Sequence, residues 1–205
     1  MYNLADEGVQ FSPTQLFSQS RRGCSASNGQ GVQLGRYIHF EKRIIIMKVI
    51  DIVGENYFGK WDKTRTACRG IIIHDTKVLL SYETRNDQWM LPGGGLEDNE
   101  SEKACCIREI AEETGMVADI SECILEIDEY YEDWKWINRY FTGKVIGTTE
   151  IKLTQREQEA GMIPKWLSIH EIIDIFSKHH TYAKTDEMRR GMYLREYTAL
   201  TEIVQ

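Results

Sequence analysis

The sequence lacks several features that mark specialised classes of protein. Its five cysteines form no C-x-x-C pair, and their odd number argues against a disulfide framework or a zinc site. No apolar run approaches the roughly 20 residues that a membrane helix needs. The N-terminus lacks the basic-then-apolar order of a secretion signal. We therefore expect a protein of the reducing cytoplasm that has no membrane partner.

An excess of basic charge is also absent. The 205 residues carry 25 Lys and Arg against 32 Asp and Glu, a formal net charge of −7. A protein that binds DNA or long RNA normally presents a basic face, so we do not expect DNA as a partner. A small nucleotide substrate stays open, because a metal ion can neutralise its phosphates where they bind.

The first 46 residues differ in composition from the rest. They are rich in Ser, Gln and Gly and show little sustained periodicity, which is typical of a flexible or loosely attached segment. We predict that residues 1–46 are an extension dispensable for catalysis and that residues 47–205 form one domain. The alternative is an N-terminal element that docks on the domain or on a partner through the three isoleucines at 44–46.

From Arg65 onward, the residue patterns indicate strands and helices in a mixed order. Strands are predicted at residues 66–73, 78–82, 120–131, 136–145 and 164–167. Helices are predicted at residues 99–114, 169–177 and 187–203. Asn99 and Glu102 have the spacing of a capping box for the first helix, and Gly115 stands where its C-terminal glycine belongs. The fold class is therefore α/β or α+β, in the form of a layered sandwich.

Three glutamates near the end of the first predicted helix carry the chemical signal. Glu109, Glu112 and Glu113 share one helix face, where they repel each other and oppose the helix dipole at roughly a few tenths of a kcal/mol each. Such a conflict with local rules is typical of a functional site. Converging carboxylates are hard oxygen ligands, so Mg²⁺ or Mn²⁺ would resolve the conflict. For a bare run of glutamates, a solvated acidic helix face is the competing interpretation.

The wider spacing around these glutamates is specific. Residues 94–116 match the pattern G-x5-E-x7-R-E-U-x-E-E-x-G-U, in which U is a bulky aliphatic residue, at every fixed position. Seven fixed residues match by chance on the order of once in 10⁸ windows, which disfavours the solvated-face interpretation. The chain from about residue 64 to residue 175 thus resembles the Nudix (MutT-like) hydrolase family, and the pattern is that family's Nudix box.

The resemblance implies a fold and a set of site residues. The implied fold is an α/β/α sandwich around a mixed β-sheet. Glu109, Glu112 and Glu113 match the metal-binding glutamates of the family, with Mg²⁺ or Mn²⁺ as the cofactor. Gly93 matches a backbone carbonyl ligand, whereas Arg108 and Glu100 match positions that orient the helix by a salt bridge.

The resemblance also implies a reaction. We expect a Mg²⁺-dependent hydrolase in which water attacks a phosphorus atom of a nucleoside diphosphate linked to another moiety. Nucleoside triphosphates, dinucleoside polyphosphates and nucleotide sugars all remain open as substrates. The general base is a box glutamate in some members of the family and a later glutamate in others. The later candidates here are Glu157 and Glu159, which precede Trp166.

Aromatic residues after the box are the candidates for substrate binding. Tyr130 and Tyr131 lie near the position where dinucleoside polyphosphate hydrolases of the family often carry a tyrosine. Trp134 and Trp136 offer a surface on which a base can stack, although strands also contain aromatic residues for packing alone.

Other functions and the oligomeric state stay open at this point. One alternative is a non-catalytic Nudix-fold sensor that binds a nucleotide and regulates another process. Another is decapping of RNA 5′ ends, which the acidic charge disfavours for long RNA tracts. Members of the family are often dimers, so the resemblance is consistent with a homodimer.

Overall fold

The computed structural model describes residues 47–204, so the predicted extension at residues 1–46 lies outside the described part of the chain. The strands are β1 (Lys48–Val53), β2 (Lys63–His74), β3 (Lys77–Glu83), β4 (Gln88–Met90), β5 (Gly93–Gly95), β6 (Met116–Tyr131), β7 (Trp134–Thr148) and β8 (Met162–Ser168). The α-helices are α1 (Glu102–Thr114), α2 (Gln155–Ala160), α3 (Ile169–Ser177) and α4 (Glu187–Val204), and a 3-10 helix spans Lys178–Tyr182.

The strands form a mixed sheet with an antiparallel extension. In the main part, β6 pairs in parallel with β1 and antiparallel with β7, while β2 pairs in parallel with β7 and antiparallel with β5. In the extension, β3 pairs antiparallel with both β4 and β8. The extension joins the main part through a short β2–β3 pairing at Ile73 and His74.

Alternating side chains place a core on each face of the sheet. Leu79 of β3 contributes to a cluster that includes Ile110 of α1, whereas its neighbours Val78 and Leu80 contribute to a cluster with Phe176 of α3. This follows from the strand period of two, which sends successive side chains to opposite faces. Helix α1 therefore covers one face, and α3 and α4 cover the other. The predicted α/β/α sandwich around a mixed sheet is confirmed.

The start of α1 corrects one prediction. Ser101, and not Asn99, is the N-cap, and its side chain accepts a hydrogen bond from the backbone N–H of Ala104. Asn99 instead adopts a left-handed conformation with φ of 67°, which asparagine tolerates better than most residues and which turns the chain before the helix. The other end agrees with the prediction, since Gly115 caps the helix with φ of 70°.

The other elements largely match their predictions, with small extensions at their ends. Helices α3 and α4 were both predicted, while β1, β4, β5, α2 and the 3-10 helix were not. Among the helices in residues 47–204, none has a stretch sufficiently long and apolar to span a membrane.

Candidate active site

A cavity of about 380 Å³ lies where the end of α1, the glycine strand β5 and the centre of the sheet meet. Its floor comes from β2 and β7, and its sides come from α1, α2 and α4. The lining combines five carboxylates and five guanidinium groups, namely Glu97, Glu109, Glu112, Glu113, Glu157, Arg65, Arg69, Arg108, Arg156 and Arg195. An enclosed site with both charges suits a phosphorylated ligand that is bound with a cation.

The glycines of β5 allow the box glutamates to approach the backbone. A Cβ atom on Gly94 would lie 2.5 Å from the carboxylate of Glu109, so a larger residue there would displace this carboxylate. Gly93 has φ of 151°, and a Cβ atom on it would lie 2.2 Å from the carbonyl oxygen of Cys68. These two contacts explain why glycine occupies both positions.

Arg108 orders the acidic groups around it. Its guanidinium binds both carboxylate oxygens of Glu100, at 3.1 Å from Nε and 2.6 Å from Nη2. Its Nη1 atom donates to Glu109 at 2.8 Å and to Glu112 at 3.2 Å. The paired guanidinium lowers the pKa of Glu100 to about 2. Arg108 and Glu100 therefore tie the helix to the loop before it.

Glu113 is the most enclosed of the box glutamates. Its carboxylate accepts hydrogen bonds from the Ser81 hydroxyl at 2.6 Å and from the Gly93 backbone N–H at 3.2 Å. Burial raises the pKa of Glu113 to about 8, and burial also raises the pKa of Glu109. Removal of carboxylates from water is unfavourable unless a positive charge compensates for it.

The glutamate oxygens do not yet converge as metal ligands. Across residues 47–204, no three His, Cys, Asp or Glu side chains are placed together as a cluster able to hold a metal ion. The hydrogen bonds explain this, because Arg108 holds Glu109 and Glu112 while Ser81 and Gly93 hold Glu113. The chemistry nevertheless fits a hard divalent cation, since the three carboxylates line the same cavity.

The two later glutamates lie in different places. Glu157 lines the cavity, and its negative charge contributes to the raised pKa of both Glu109 and Glu113. It is also the N3 residue of a capping box in α2, where it accepts from the Thr154 backbone N–H at 2.8 Å. Glu159 is exposed, accepts from Gln155 at 2.9 Å and does not line the cavity.

Of the four aromatic candidates, one lines the cavity and three do not. Trp136 lines the cavity and stacks on Trp134 with ring centroids 4.9 Å apart. Tyr130 lies outside the cavity, against Tyr57 and Trp61.

Tyr131 also lies outside the cavity. Its side chain fills the space beside Gly54 and Gly191. A Cβ atom on Gly54 would lie 2.2 Å from a ring carbon of Tyr131, and one on Gly191 would lie 2.5 Å from its hydroxyl oxygen. Desolvation in this packed position raises the pKa of Tyr131 to about 12.

The cavity arginines that come from outside the box were not predicted from the sequence. Arg65 and Arg69 are both on β2, and their spacing of four residues places them on the same face of that strand. Arg156 precedes Glu157 on α2 and donates to the buried Glu83 at 3.0 Å. The strand period was a usable signal for the β2 pair, but nothing in the sequence indicated that α4 contributes Arg195 to the same cavity.

Arg195 belongs to a buried network beneath the cavity, which we call the floor network. Its guanidinium donates to Glu129 at 3.0 Å and to Glu196 at 2.8 Å. Glu129 also accepts from Asn138 at 3.0 Å, and Glu196 accepts from the Tyr140 hydroxyl at 3.3 Å. The network therefore joins α4 to β6 and β7 under the cavity.

Comparison with known proteins gives the family. A sequence model described as the NUDIX domain matches residues 64–187, which is more than half of the chain. The chain belongs to the Nudix family, and the resemblance inferred from the box is confirmed.

Curated relatives of the chain act on different substrates, according to their names. The m7GpppN-mRNA hydrolase of Saccharomyces cerevisiae is 30% identical over 89 residues, which cover 42% of this chain and 8% of that protein. The diphosphoinositol polyphosphate phosphohydrolase NUDT4B of Homo sapiens is 27% identical and covers 51% of this chain and 56% of that protein. The RNA pyrophosphohydrolase of Dinoroseobacter shibae is 23% identical, with coverages of 57% and 72%.

Among solved structures, the chain is similar to a NUDIX hydrolase from Nitrosomonas europaea. The two are 25% identical with a TM-score of 0.48, and the match covers 67% of this chain and 90% of that one. The chain spans only 8% and 56% of the length of the yeast and human relatives.

Proposed function

We propose that the chain is a Mg²⁺- or Mn²⁺-dependent pyrophosphohydrolase that cuts a phosphoanhydride bond in a nucleoside diphosphate linked to another moiety. The observation that carries the proposal is one cavity lined by all three box glutamates and by five arginines. Carboxylates hold the cation, and guanidinium groups hold phosphate oxygens. Membership of the Nudix family and the hydrolase names of the relatives support the same reaction class.

Glu109, Glu112 and Glu113 would hold the cation, with the Gly93 carbonyl as a further ligand. When bound, the ion supplies charge stabilisation at the phosphate and lowers the pKa of a coordinated water. For the ligands to converge, Glu109 and Glu112 must exchange their bonds to Arg108 for bonds to the ion. Arg108 would keep its two bonds to Glu100, so the helix stays in place during the exchange.

Glu157 is the better of the two later candidates for the general base. A base must lie within hydrogen-bond reach of the attacking water, and Glu157 lines the cavity whereas Glu159 does not. The capping-box bond from Thr154 fixes the orientation of the Glu157 carboxylate. Arg156 reinforces this position, since its bond to buried Glu83 ties α2 to β3.

For the nucleoside, Trp136 is the substrate-binding aromatic that the cavity favours, and Trp134 supports it by stacking. Tyr130 and Tyr131 are weaker candidates, because neither lines the cavity. The substrate classes under this proposal are nucleoside triphosphates, dinucleoside polyphosphates and nucleotide sugars. The names of the relatives add RNA 5′ ends and diphosphoinositol polyphosphates to the set worth testing.

The test is phosphate release from that panel of compounds with Mg²⁺, with a coupled phosphatase to reveal mononucleotide products. We expect wild type to hydrolyse one class and Glu113→Gln to lose about 100-fold or more of kcat/KM, because the substitution removes a ligand charge from the metal site. We expect Glu157→Gln to lower kcat about 100-fold, in the range of a general base, while its matched control Glu159→Gln stays within about 2-fold.

Two results would contradict the proposal. If wild type turns over no compound in the panel but binds a nucleotide, the chain is a nucleotide sensor of the Nudix fold. If Glu159→Gln lowers kcat as much as Glu157→Gln, the assignment of the base from the cavity geometry is wrong.

A further inference from the structure

Arg65 differs from the other arginines of the cavity. Arg108, Arg156 and Arg195 each lie within 3.0 Å of a carboxylate oxygen, and Arg69 lies 3.8 Å from Glu196. Among the described residues, no carboxylate lies within ion-pairing distance of Arg65, although its side chain lines the same cavity. Its positive charge is therefore available for a ligand.

An aromatic surface holds Arg65 in place. Its guanidinium carbon lies 5.7 Å from the ring centroid of Trp136, its direct neighbour in the β2–β7 register. Trp134 stacks behind Trp136, and the Lys63 ammonium lies 5.4 Å from the Trp134 ring. A guanidinium that lies over a ring contacts it through charge and not through its N–H donors, which can still bind a ligand.

Arg65 and the box glutamates line the same cavity and flank strand β5. A Cβ atom on Gly95 would lie 2.8 Å from Nη2 of Arg65, just as a Cβ atom on Gly94 would lie 2.5 Å from the Glu109 carboxylate. Successive strand residues point to opposite faces, so β5 lies between the free guanidinium and the Glu109 carboxylate. Both groups nevertheless line the same cavity, so one ligand in that cavity can contact both.

We propose that Arg65, seated on Trp136, is a specificity-determining residue that binds a phosphate beyond the diphosphate that is cleaved. This inference rests on the proposed function, because it takes the box glutamates as the site of the cleaved diphosphate. A guanidinium matches phosphate oxygens with two parallel hydrogen bonds, which a lysine ammonium cannot do. The enzyme therefore selects substrates with three or more consecutive phosphates over diphosphate-linked ones.

The experiment compares binding of inorganic pyrophosphate and inorganic tripolyphosphate in the presence of Mg²⁺, measured by titration calorimetry. We expect Arg65→Ala to weaken tripolyphosphate binding about 10- to 100-fold and pyrophosphate binding less than about 3-fold, as for loss of a charge-assisted bond to one phosphate. The matched control is Arg85→Ala, an exposed arginine outside the cavity, which leaves both affinities unchanged.

Two further variants test the placement of the Arg65 guanidinium over the Trp136 ring. Arg65→Lys keeps the charge but loses the planar fork, so we expect it to recover only part of the tripolyphosphate affinity. Trp136→Leu removes the surface beneath Arg65 and weakens tripolyphosphate binding by roughly 2- to 5-fold, the size of an exposed cation–π contact. The inference would be overturned if Arg65→Ala lost the same amount of affinity for both anions, or lost none for either. It would also be overturned if wild type did not bind tripolyphosphate more tightly than pyrophosphate.

The outcomes separate this inference from the proposed function. If wild type hydrolyses a compound but Arg65→Ala keeps the anion preference of wild type, the enzyme assignment stands and the proposed role of Arg65 is wrong. Absence of hydrolysis by wild type, with selective loss of tripolyphosphate binding in Arg65→Ala, removes the enzyme assignment and keeps Arg65 as a phosphate-binding residue.

Discussion

Two arginine–carboxylate networks lie on opposite sides of the same cavity, and they differ in exposure. In the box network, formed by Arg108, Glu100, Glu109 and Glu112, the side chains of Arg108 and Glu112 keep 25% and 37% of their exposure. In the floor network, the side chains of Arg195 and Glu196 keep 9% and 0%. A network that water reaches can exchange one partner for another, whereas a buried one cannot lose a partner without leaving an uncompensated charge.

The comparison gives each network a different role. Under the proposed function, Arg108 and Glu112 could exchange partners at low cost because water reaches both side chains, whereas the more buried Glu109 would depend on the ion itself for compensation. The floor network instead holds α4 against the sheet and keeps the cavity in shape. We therefore expect the reaction to take place at the box network, and the structural support of the cavity to come from the floor network.

The largest expected effect is on stability, at the floor network. Arg195→Met removes the guanidinium that Glu129 and Glu196 share and leaves only Arg69, 3.8 Å from Glu196, as a positive charge, which costs about 3–5 kcal/mol in the free energy of unfolding. Urea denaturation measures this loss. The triple variant Arg195→Met, Glu129→Gln, Glu196→Gln removes the charges together and should recover most of it. Equal instability in the single and triple variants would show that packing, and not charge pairing, dominates there.

A smaller effect is expected at the box network, and it should depend on metal. Arg108→Met lowers the free energy of unfolding by about 1–2 kcal/mol without metal, because three carboxylates lose their shared donor. With saturating Mg²⁺ the difference should become smaller, since the ion takes over the neutralisation of Glu109 and Glu112, while the part that comes from the lost bonds to Glu100 remains.

The control for this metal dependence is an exposed ion pair elsewhere. Lys178 and Asp174 lie one helical turn apart at 2.7 Å. Lys178→Met should change the free energy of unfolding by about 0.5 kcal/mol or less, with or without Mg²⁺. A deficit in Arg108→Met that is as large in saturating Mg²⁺ as without metal would show that the two networks do not differ in the way their exposure implies.

The smallest effect concerns pH. The Arg108 guanidinium lowers the pKa of Glu100 from 4.5 to about 2 in the folded protein. A carboxyl with a lowered pKa stabilises the fold above its unfolded pKa, and that contribution disappears as the pH falls toward the folded pKa. The stability difference between wild type and Glu100→Gln should therefore be constant near neutrality and decline between about pH 4.5 and pH 2. Urea denaturation across that range measures this stability difference. A difference that does not change with pH would contradict the assignment of the lowered Glu100 pKa to Arg108.

The sequence predicted the part of the site that lies on one helix. Glu109, Glu112 and Glu113 are local neighbours, so helical spacing alone placed them on one face, and all three line the cavity. Helix α3 was also predictable, because Ile172 and Phe176 repeat at the helical spacing of four, and α4 was predicted as well although its apolar residues are less regularly spaced. The six-residue helix α2 was missed, although Thr154 and Glu157 carry the capping-box spacing that the structure shows.

The opposite wall of the cavity depends on distant contacts. Arg65 and Arg195 are 130 positions apart, and only the parallel pairing of β2 with β7 and the packing of α4 bring their side chains to one cavity. A single sequence does not specify such pairings. The misplaced N-cap has a local cause, since Asn99 and Ser101 are both good capping residues and the loop geometry selects between them.

The position of α4 in the chain has a consequence for synthesis. The family match ends at residue 187, where α4 begins, so Met192 and Arg195 reach the cavity from beyond the matched segment. A nascent chain has all the box residues outside the ribosome well before α4 is translated. The cavity is therefore completed only when the final helix docks, and a product that stops before it would carry an intact Nudix box in an unfinished site.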